Sequence, residues 1–287
     1  MTSSSRMPGR IARLRMKTLP RPFLIGSSLI VLLLLVAVSA DYLAPYPYDE
    51  FHFLQRMAAP SGNHLLGTDE FGRDVLSRLI FGTRISLMMG IGSTLLCLGF
   101  GVPIGLYSGF KGRKIDEFIM RIMDIIISFP SLIIGLLIMV VTSPGTIKTV
   151  FVVGMIFTPH VVRVTRAVSL SIVKKDFIEA ARARSESTRF MIFEEILPNI
   201  WGPIIVEGSL RVTYAILLAG SMSFLGLGTQ PPQADWGLMV ADGRMYVGEA
   251  PWIVISPGMM MCIAVIAFNL FGDGLRDLLD VRMRKLG

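Results

Sequence analysis

The sequence predicts an all-α integral membrane protein with about six membrane-spanning helices and both chain ends in the cytoplasm. Hydrophobic residues make up 52% of the 287 residues and charged residues only 17%, whereas roughly a quarter of the residues in soluble domains are charged. Apolar stretches about 20 residues long recur along the chain, and helices of that length cross a bilayer core about 30 Å thick. Lysine and arginine also concentrate in alternate connecting segments, as is typical of cytoplasmic loops.

Six apolar stretches meet this length requirement. They cover residues 22–40, 85–107, 118–141, 146–162, 201–225 and 251–271. Pro130 lies inside the third stretch and predicts a kink there, because proline removes a backbone donor from the helix. The last five stretches define a predicted five-helix core over residues 84–275, which follows an external loop over residues 41–83.

The first stretch has an alternative interpretation as a cleavable signal peptide. Basic residues precede its apolar run, and the small-residue string at residues 38–40 is similar to a cleavage site. A signal peptide has an apolar region of about 7 to 15 residues. The run over residues 22–40 is longer, so we expect an uncleaved first transmembrane helix.

The charge of the connecting segments predicts the orientation of the chain. Basic residues cluster in four segments, which are residues 1–21, 111–114, 163–189 and 276–287. The two short loops on the opposite side carry only Lys148 and Arg244. Because short cytoplasmic segments retain lysine and arginine, the terminal segments are predicted to be cytoplasmic tails.

Composition and spacing argue against several other functions. The net charge of +7 comes from short basic clusters between apolar stretches, which favours contact with membrane lipid over nucleic acid. Cys97 and Cys262 both lie in apolar runs, and His52, His64 and His160 are scattered. We therefore expect no metal site, no catalytic residue and no cofactor bound by this chain.

The polar segment over residues 169–199 is the main cytoplasmic loop. Its apolar residues follow helical periodicity in two groups, Leu170, Val173, Phe177 and Ala181, then Phe190, Phe193 and Leu197. Ser187 is a predicted helix N-cap, and Pro198 is predicted to end the second helix. Periodicity alone leaves two roles open: docking to a cytoplasmic partner, or helices lying on lipid.

The same loop resembles the EAA loop of binding-protein-dependent ABC importer permeases. Glu179, Ala180, Ala181, Leu197 and Pro198 match that motif. Ser185 stands where the family has glycine, and Glu195 where a basic residue or histidine is common. Residues 64–87, 223–240 and 268–284 also resemble strings of the dipeptide, oligopeptide and nickel branch, so the resemblance covers about residues 22–285.

This resemblance implies a type I ABC importer permease fold in the bacterial inner membrane, and the second of two homologous permeases that form a heterodimer. The implied partners are two cytoplasmic ATPase subunits, which would bind ATP and magnesium, and an external solute-binding protein. The chain itself lacks a GxxxxGK[ST] phosphate-binding loop, so ATP hydrolysis is expected in the partners. The implied cargo is a short peptide, with a nickel complex or another small solute as the alternative.

Specific roles follow for the residues of the loop. Ala180 and Ala181 are small enough to permit close approach to an ATPase. Glu179 can pair with a partner cation or with its own helix, and the alternative is a solvated charge in the first helical turn. Phe190 and Phe193 are predicted apolar anchors.

Charged residues suggest two further sites. In the external loop, Asp69, Arg73, Asp74 and Arg78 are candidates for docking or gating, with a self-contained ion-pair cluster as the alternative.

Within the predicted spans, Arg121 with Asp124 and Glu207 with Arg211 have the spacing of pairs on one helix face. We favour structural pairing over substrate coordination for both. Gly101, Gly105 and Gly109 predict close helix packing or a dimer contact.

Two other classes of protein remain as alternatives. An ion-coupled secondary transporter usually has discontinuous helices and many ionisable residues near the bilayer midplane, and such residues are sparse here. A scaffold or receptor that transports nothing would leave the paired EAA-like and external strings without a purpose.

Overall fold

The computed structural model describes residues 19–283 of the chain. Within them the protein is helical, and the single extended pairing is an isolated bridge between Thr68 and Asp74. The predicted basic tail over residues 1–21 therefore lies outside the described residues up to residue 18. The last part of the predicted tail over residues 276–287, from residue 284, also lies outside them.

The described residues form eleven α-helices. These are α1 (Arg21–Val38), α2 (Ala40–Leu43), α3 (Val75–Lys111), α4 (Arg113–Ile127), α5 (Ser131–Thr142), α6 (Thr146–Ile172), α7 (Asp176–Ala183), α8 (Thr188–Phe190), α9 (Leu197–Phe224), α10 (Trp236–Gly243) and α11 (Trp252–Met283). A π-helical turn, Met191–Ile196, joins α8 to α9, and short 3-10 turns occur at Phe53–Gln55 and Arg244–Tyr246.

Among the described residues, five helical segments are long and apolar enough to cross a membrane, and a bent pair of helices makes a sixth crossing if the pair counts as one span. The five contain α1, α3, α6, α8 to α9, and α11. The pair α4 and α5 meets at 82°. The kink predicted at Pro130 is thus a full break: Pro130 precedes α5, and its carbonyl oxygen accepts from the amides of Ile133 and Ile134 at 3.0 and 3.2 Å.

Several helix ends differ from the sequence-based prediction. Helix α3 begins at Val75 rather than near residue 85, because the Asp74 carboxylate caps it by accepting from the Ser77 amide at 2.8 Å. Helix α11 runs to Met283, well past residue 271. Polar turns continue these helices beyond their apolar stretches, and hydropathy alone does not detect such turns.

The prediction that Pro198 ends the cytoplasmic helix is wrong. Pro198 is the second residue of α9, which continues to Phe224. The preceding π-helical turn is closed by the Leu197 amide, which donates to Ile192, five residues back. Pro198 has no amide hydrogen to donate, and its place directly after the π-helical turn accommodates it without ending the helix.

Two apolar clusters hold the helices together. One joins α3, α5, α6 and α9, and the other joins α1, α3, α9, α10 and α11. Gly101, Gly105 and Gly109 of α3 all face α6, where a Cβ on Gly105 would lie 2.6 Å from the carbonyl oxygen of Val162. The predicted glycine face therefore serves close packing of two helices within this chain.

Candidate functional site

Helix α7 is fixed to the bundle by one face and exposed on the other. Ile178 and Ala181 are both 0% exposed, and Phe177 packs against the core. Glu179 and Ala180 face outward. Ala181 is fully buried, so its small size serves the packing of α7 on the bundle, and only Ala180 of the two alanines is available to a partner.

A Schellman turn ends α7 at the position where Ser185 replaces the family glycine. The Glu186 amide donates to the Ala181 carbonyl at 3.2 Å, and the Ser185 amide donates to Arg182 at 2.9 Å. This pair of bonds requires a left-handed residue at the turn, and Ser185 has φ of 57°. Serine therefore adopts the backbone conformation for which glycine is usually selected.

The second half of the loop presents two aromatic side chains. The Ser187 hydroxyl accepts from the Phe190 amide at 3.2 Å, which confirms the predicted N-cap. Phe190 is 36% exposed and Phe193 46% exposed, and both line a surface groove beside α8. Arg184 lies 3.7 Å from Glu195, so the residue that replaces the family's basic position pairs with the turn after α7.

Sequence periodicity missed part of the anchoring surface of this loop. Four isoleucine and methionine side chains of the loop are buried against the bundle: Ile178, Met191, Ile192 and Ile196. The two apolar groups predicted from periodicity did not include them. Ile192 and Ile196 are four residues apart, which is a helical spacing, but the π-helical turn alters the side-chain directions there. Leu197 is half-buried and Pro198 is exposed.

The four charged candidates in the external loop are all buried, and three of them, Asp69, Arg73 and Arg78, form one ion-pair cluster. The Arg73 Nε and Arg78 Nη1 atoms both lie 2.6 Å from Asp69 Oδ2. Arg78 Nη2 also lies 3.1 Å from Asp242 of α10. Asp74 caps α3 and contacts His64 Nδ1 at 2.9 Å, so these residues fold the external segment onto the bundle.

Two buried carboxyls outside the spans have altered acidity. Burial, with a further contribution from the Asp69 charge, raises the pKa of Glu70 above its usual range. Burial also raises the pKa of Asp235. Asp235 caps α10 by accepting from the Gly237 and Leu238 amides at 2.8 and 3.2 Å, and it thereby positions the helix that carries Asp242.

The two predicted intramembrane pairs differ in outcome. The Arg211 Nε atom donates to Glu207 at 2.6 Å, and both side chains are nearly buried. The Arg121–Asp124 pair does not form, since Arg121 contacts Glu117 at 3.3 Å and Asp124 pairs with Arg163 of α6. Helix α4 turns Asp124 toward α6, and a spacing argument within one helix cannot include a partner from another helix.

The described residues bring together no group of three or more His, Cys, Asp or Glu side chains that could hold a metal ion. The predicted cytoplasmic loop instead exposes four of the candidate residues on its surface, which we call the α7–α8 knob and define as Glu179, Ala180, Phe190 and Phe193. It is anchored by buried neighbours and is continuous with the spanning helix α9. A surface that is anchored in this way and continuous with a long helix has the geometry to transmit a displacement along that helix.

Comparison with known proteins identifies relatives over most of the chain. Residues 101–285 match the family described as binding-protein-dependent transport system inner membrane component. The di/tripeptide transport system permease protein of Pseudomonas aeruginosa is 40% identical, covering 90% of this chain and 88% of its own length. The dipeptide transport system permease protein of Alkalihalophilus pseudofirmus is 38% identical, with 91% and 86% covered. The glutathione transport system permease protein of Pectobacterium atrosepticum is 37% identical, with 91% and 87% covered.

A solved structure supports the fold. A chain of the MetNI methionine ABC transporter, in an inward-facing conformation, superposes with a TM-score of 0.59. It is 19% identical, and the match covers 71% of this chain and 96% of the transporter chain.

Proposed function

The chain belongs to the family of inner membrane components of binding-protein-dependent ABC transport systems, and on that premise we propose that it moves short peptides across the bacterial inner membrane. The relatives named for dipeptides, tripeptides and glutathione support this cargo over a nickel complex. Membership of this family also removes the reason to consider an ion-coupled secondary transporter or a scaffold. The chain acts as a multi-pass permease subunit of an importer.

The proposed complex contains a second, homologous permease that pairs with this chain as a heterodimer. Two cytoplasmic ATPase subunits hydrolyse ATP with magnesium, and an external solute-binding protein delivers the peptide. The exposed apolar side chains of the bent pair α4 and α5 support a neighbour within the membrane, which is protein or lipid. Among them, Phe118 is 67% exposed and Leu137 is 65% exposed.

The α7–α8 knob is the proposed contact with one ATPase subunit. The observation that carries this assignment is the division of α7 into a buried face, with Ile178 and Ala181, and an exposed face, with Glu179 and Ala180. The small Ala180 side chain allows a partner surface to approach the helix backbone closely. Because α8 continues through the π-helical turn into α9, movement of the ATPase would displace a spanning helix.

Substitution of Ala180 tests this contact. We expect Ala180→Trp to leave membrane insertion intact but to release the ATPase subunits during purification and to abolish peptide uptake. The matched control is Lys114→Trp, an equally bulky change at an exposed position of α4. This variant should retain the ATPase subunits and should take up peptide normally. Normal ATPase recovery and normal uptake with Ala180→Trp would show that the knob does not dock an ATPase.

A further inference from the structure

Helix α9 has two chemically different faces. Ile205 and Val212 lie on one side, in an apolar groove that Leu95 of α3 and Phe268 of α11 also line. Tyr214 follows Ile205 by nine positions, which at about 100° per residue places it on the opposite side. Glu207, Arg211 and Tyr214 share that second side. The apolar groove suits lipid, so the charged side is directed toward protein or water.

The charged side lies near the middle of two helices that are long enough to span a membrane. Arg211 is close to the centre of α9, which spans Leu197–Phe224, and at 1.5 Å per residue it is about 20 Å from either end. His160 is similarly central in α6, Thr146–Ile172. Ionisable groups at this depth usually face a bundle interior or an aqueous pathway.

Aromatic rings surround the Arg211 guanidinium. Its carbon lies 5.7 Å from the ring centre of Phe157 and 5.3 Å from that of Tyr214. The Phe157 ring is also 6.1 Å from the ring of His160. Phe157 is buried and the Arg211 side chain is 13% exposed, whereas Tyr214 is 52% exposed, so the guanidinium site borders the surface on its Tyr214 side.

Arg211 has hydrogen-bonding capacity that the described residues do not use. Its Nε atom donates to Glu207 at 2.6 Å. Within residues 19–283 its two terminal Nη groups have no protein acceptor. Glu207 therefore orients the side chain while the terminal fork stays available, and this fork has the geometry to bind a carboxylate through two parallel bonds.

Further ion pairs continue from this site toward the predicted cytoplasmic side. Arg163 lies about one turn after His160 on α6 and pairs with Asp124 of α4. Arg121 and Glu117 follow on α4, and both are exposed. Charged side chains therefore occupy successive depths from the bilayer centre to the cytoplasmic end, which suits a hydrophilic pathway.

We propose that Arg211, oriented by Glu207 and flanked by Phe157 and Tyr214, binds the carboxylate of the transported peptide at a site halfway across the membrane. This inference rests on the proposed peptide cargo. The carboxylate occupies the Nη groups, and the Tyr214 ring contacts the apolar part of the peptide. The Arg163–Asp124 pair lies on the exit side of the site.

Thiol accessibility in the complete importer tests whether the charged side of α9 is accessible to water. Tyr214→Cys should react with a charged, membrane-impermeant thiol reagent above the background of the parent chain, in the nucleotide-free or the nucleotide-bound complex. The matched control, Ile205→Cys, is also on an exposed position of α9 and should stay at background. An unreactive Tyr214→Cys in both states would place this face against the second permease or lipid, and the proposal would fail.

Uptake of a dipeptide with a free carboxylate tests recognition. The double variant Glu207→Gln with Arg211→Gln avoids leaving one unpaired charge in the membrane. We expect it to retain the ATPase subunits but to lose uptake by about tenfold or more, because a charge-assisted hydrogen bond is lost. Glu207→Gln alone keeps the Arg211 guanidinium and should lose less uptake than the double variant.

The outcomes separate this inference from the proposed function. Parental uptake by the assembled double variant would overturn the Arg211 site while leaving peptide transport established. Failure of the parent importer to take up any short peptide would instead refute the proposed function. If the double variant does not assemble, the thiol reactivity of Tyr214→Cys decides whether the proposed Arg211 site stands.

Discussion

The Arg78 side chain donates a hydrogen bond of 3.1 Å to Asp242, although the two residues lie 164 positions apart in the chain. This bond ties the start of α3 to α10 on the predicted external side. Arg78 is 2% exposed at the side chain and Asp242 is 22% exposed. The contact therefore closes the external segment over the bundle.

Loss of the Asp242 carboxylate should destabilise this external assembly. Asp242→Ala leaves Arg78 with Asp69 as its remaining partner, and we expect a cost of about 1–3 kcal/mol from the buried donor that loses its acceptor. The control is Asp41→Ala, which breaks the exposed Arg84–Asp41 pair and should cost less than about 1 kcal/mol. Thermal unfolding in mild detergent compares them, and equal melting temperatures would contradict the structural role of Asp242.

Glu70 should make the stability of the external segment depend on pH. Its folded-state pKa is raised, so its contribution is complete below the ordinary glutamate pKa and is lost as the pH rises through the raised value. Glu70→Gln is neutral at every pH and keeps an acceptor for Arg73. We expect a higher melting temperature than the parent at about pH 8 and an equal one at about pH 4. A lower melting temperature at the higher pH would contradict this assignment.

Ser185→Gly should stabilise the turn after α7. Ser185 has a positive φ of 57°, a conformation that costs a residue with a Cβ about 1 kcal/mol more than glycine. We expect Ser185→Gly to raise the free energy of unfolding by up to that amount and to preserve peptide uptake. Ser185→Val should lower both the free energy of unfolding and the uptake. Melting temperature and peptide uptake measure the two effects. A large loss with Ser185→Gly would mean that the serine side chain has a separate function.

Gly105→Ala should disturb the packing of α3 on α6. The added Cβ would lie 2.6 Å from the Val162 carbonyl oxygen, so the helices must separate, at an expected cost of about 1–3 kcal/mol. Gly99→Ala is the control, because its Cβ would meet no atom within 4 Å. Thermal stability of the purified chain should fall for Gly105→Ala alone, because alanine is intrinsically the better helix former at an open helical position; an equal fall for Gly99→Ala would contradict the packing role of Gly105.

Much of the cytoplasmic loop could be predicted from local sequence. Helix α7, the separation of the two apolar groups and the Ser187 cap depend on residues close together in the chain, whose hydrogen bonds form between neighbours. The continuation past Pro198 could not be predicted, because it depends on a π-helical turn. The burial of Ala181 also depends on which face of α7 meets the bundle.

The sequence by itself determined the membrane-spanning class, the approximate location of the apolar stretches and the family, because apolar length and local motifs are properties of contiguous residues. Only the tertiary structure decided which charged side chains pair with each other. Asp124 pairs with Arg163 rather than Arg121. The terminal donors of Arg211, which lie beside two aromatic rings, have no acceptor within the described part of the chain. Helical spacing shows which side chains share a face, but only the packing of helices distant in sequence shows what each face meets.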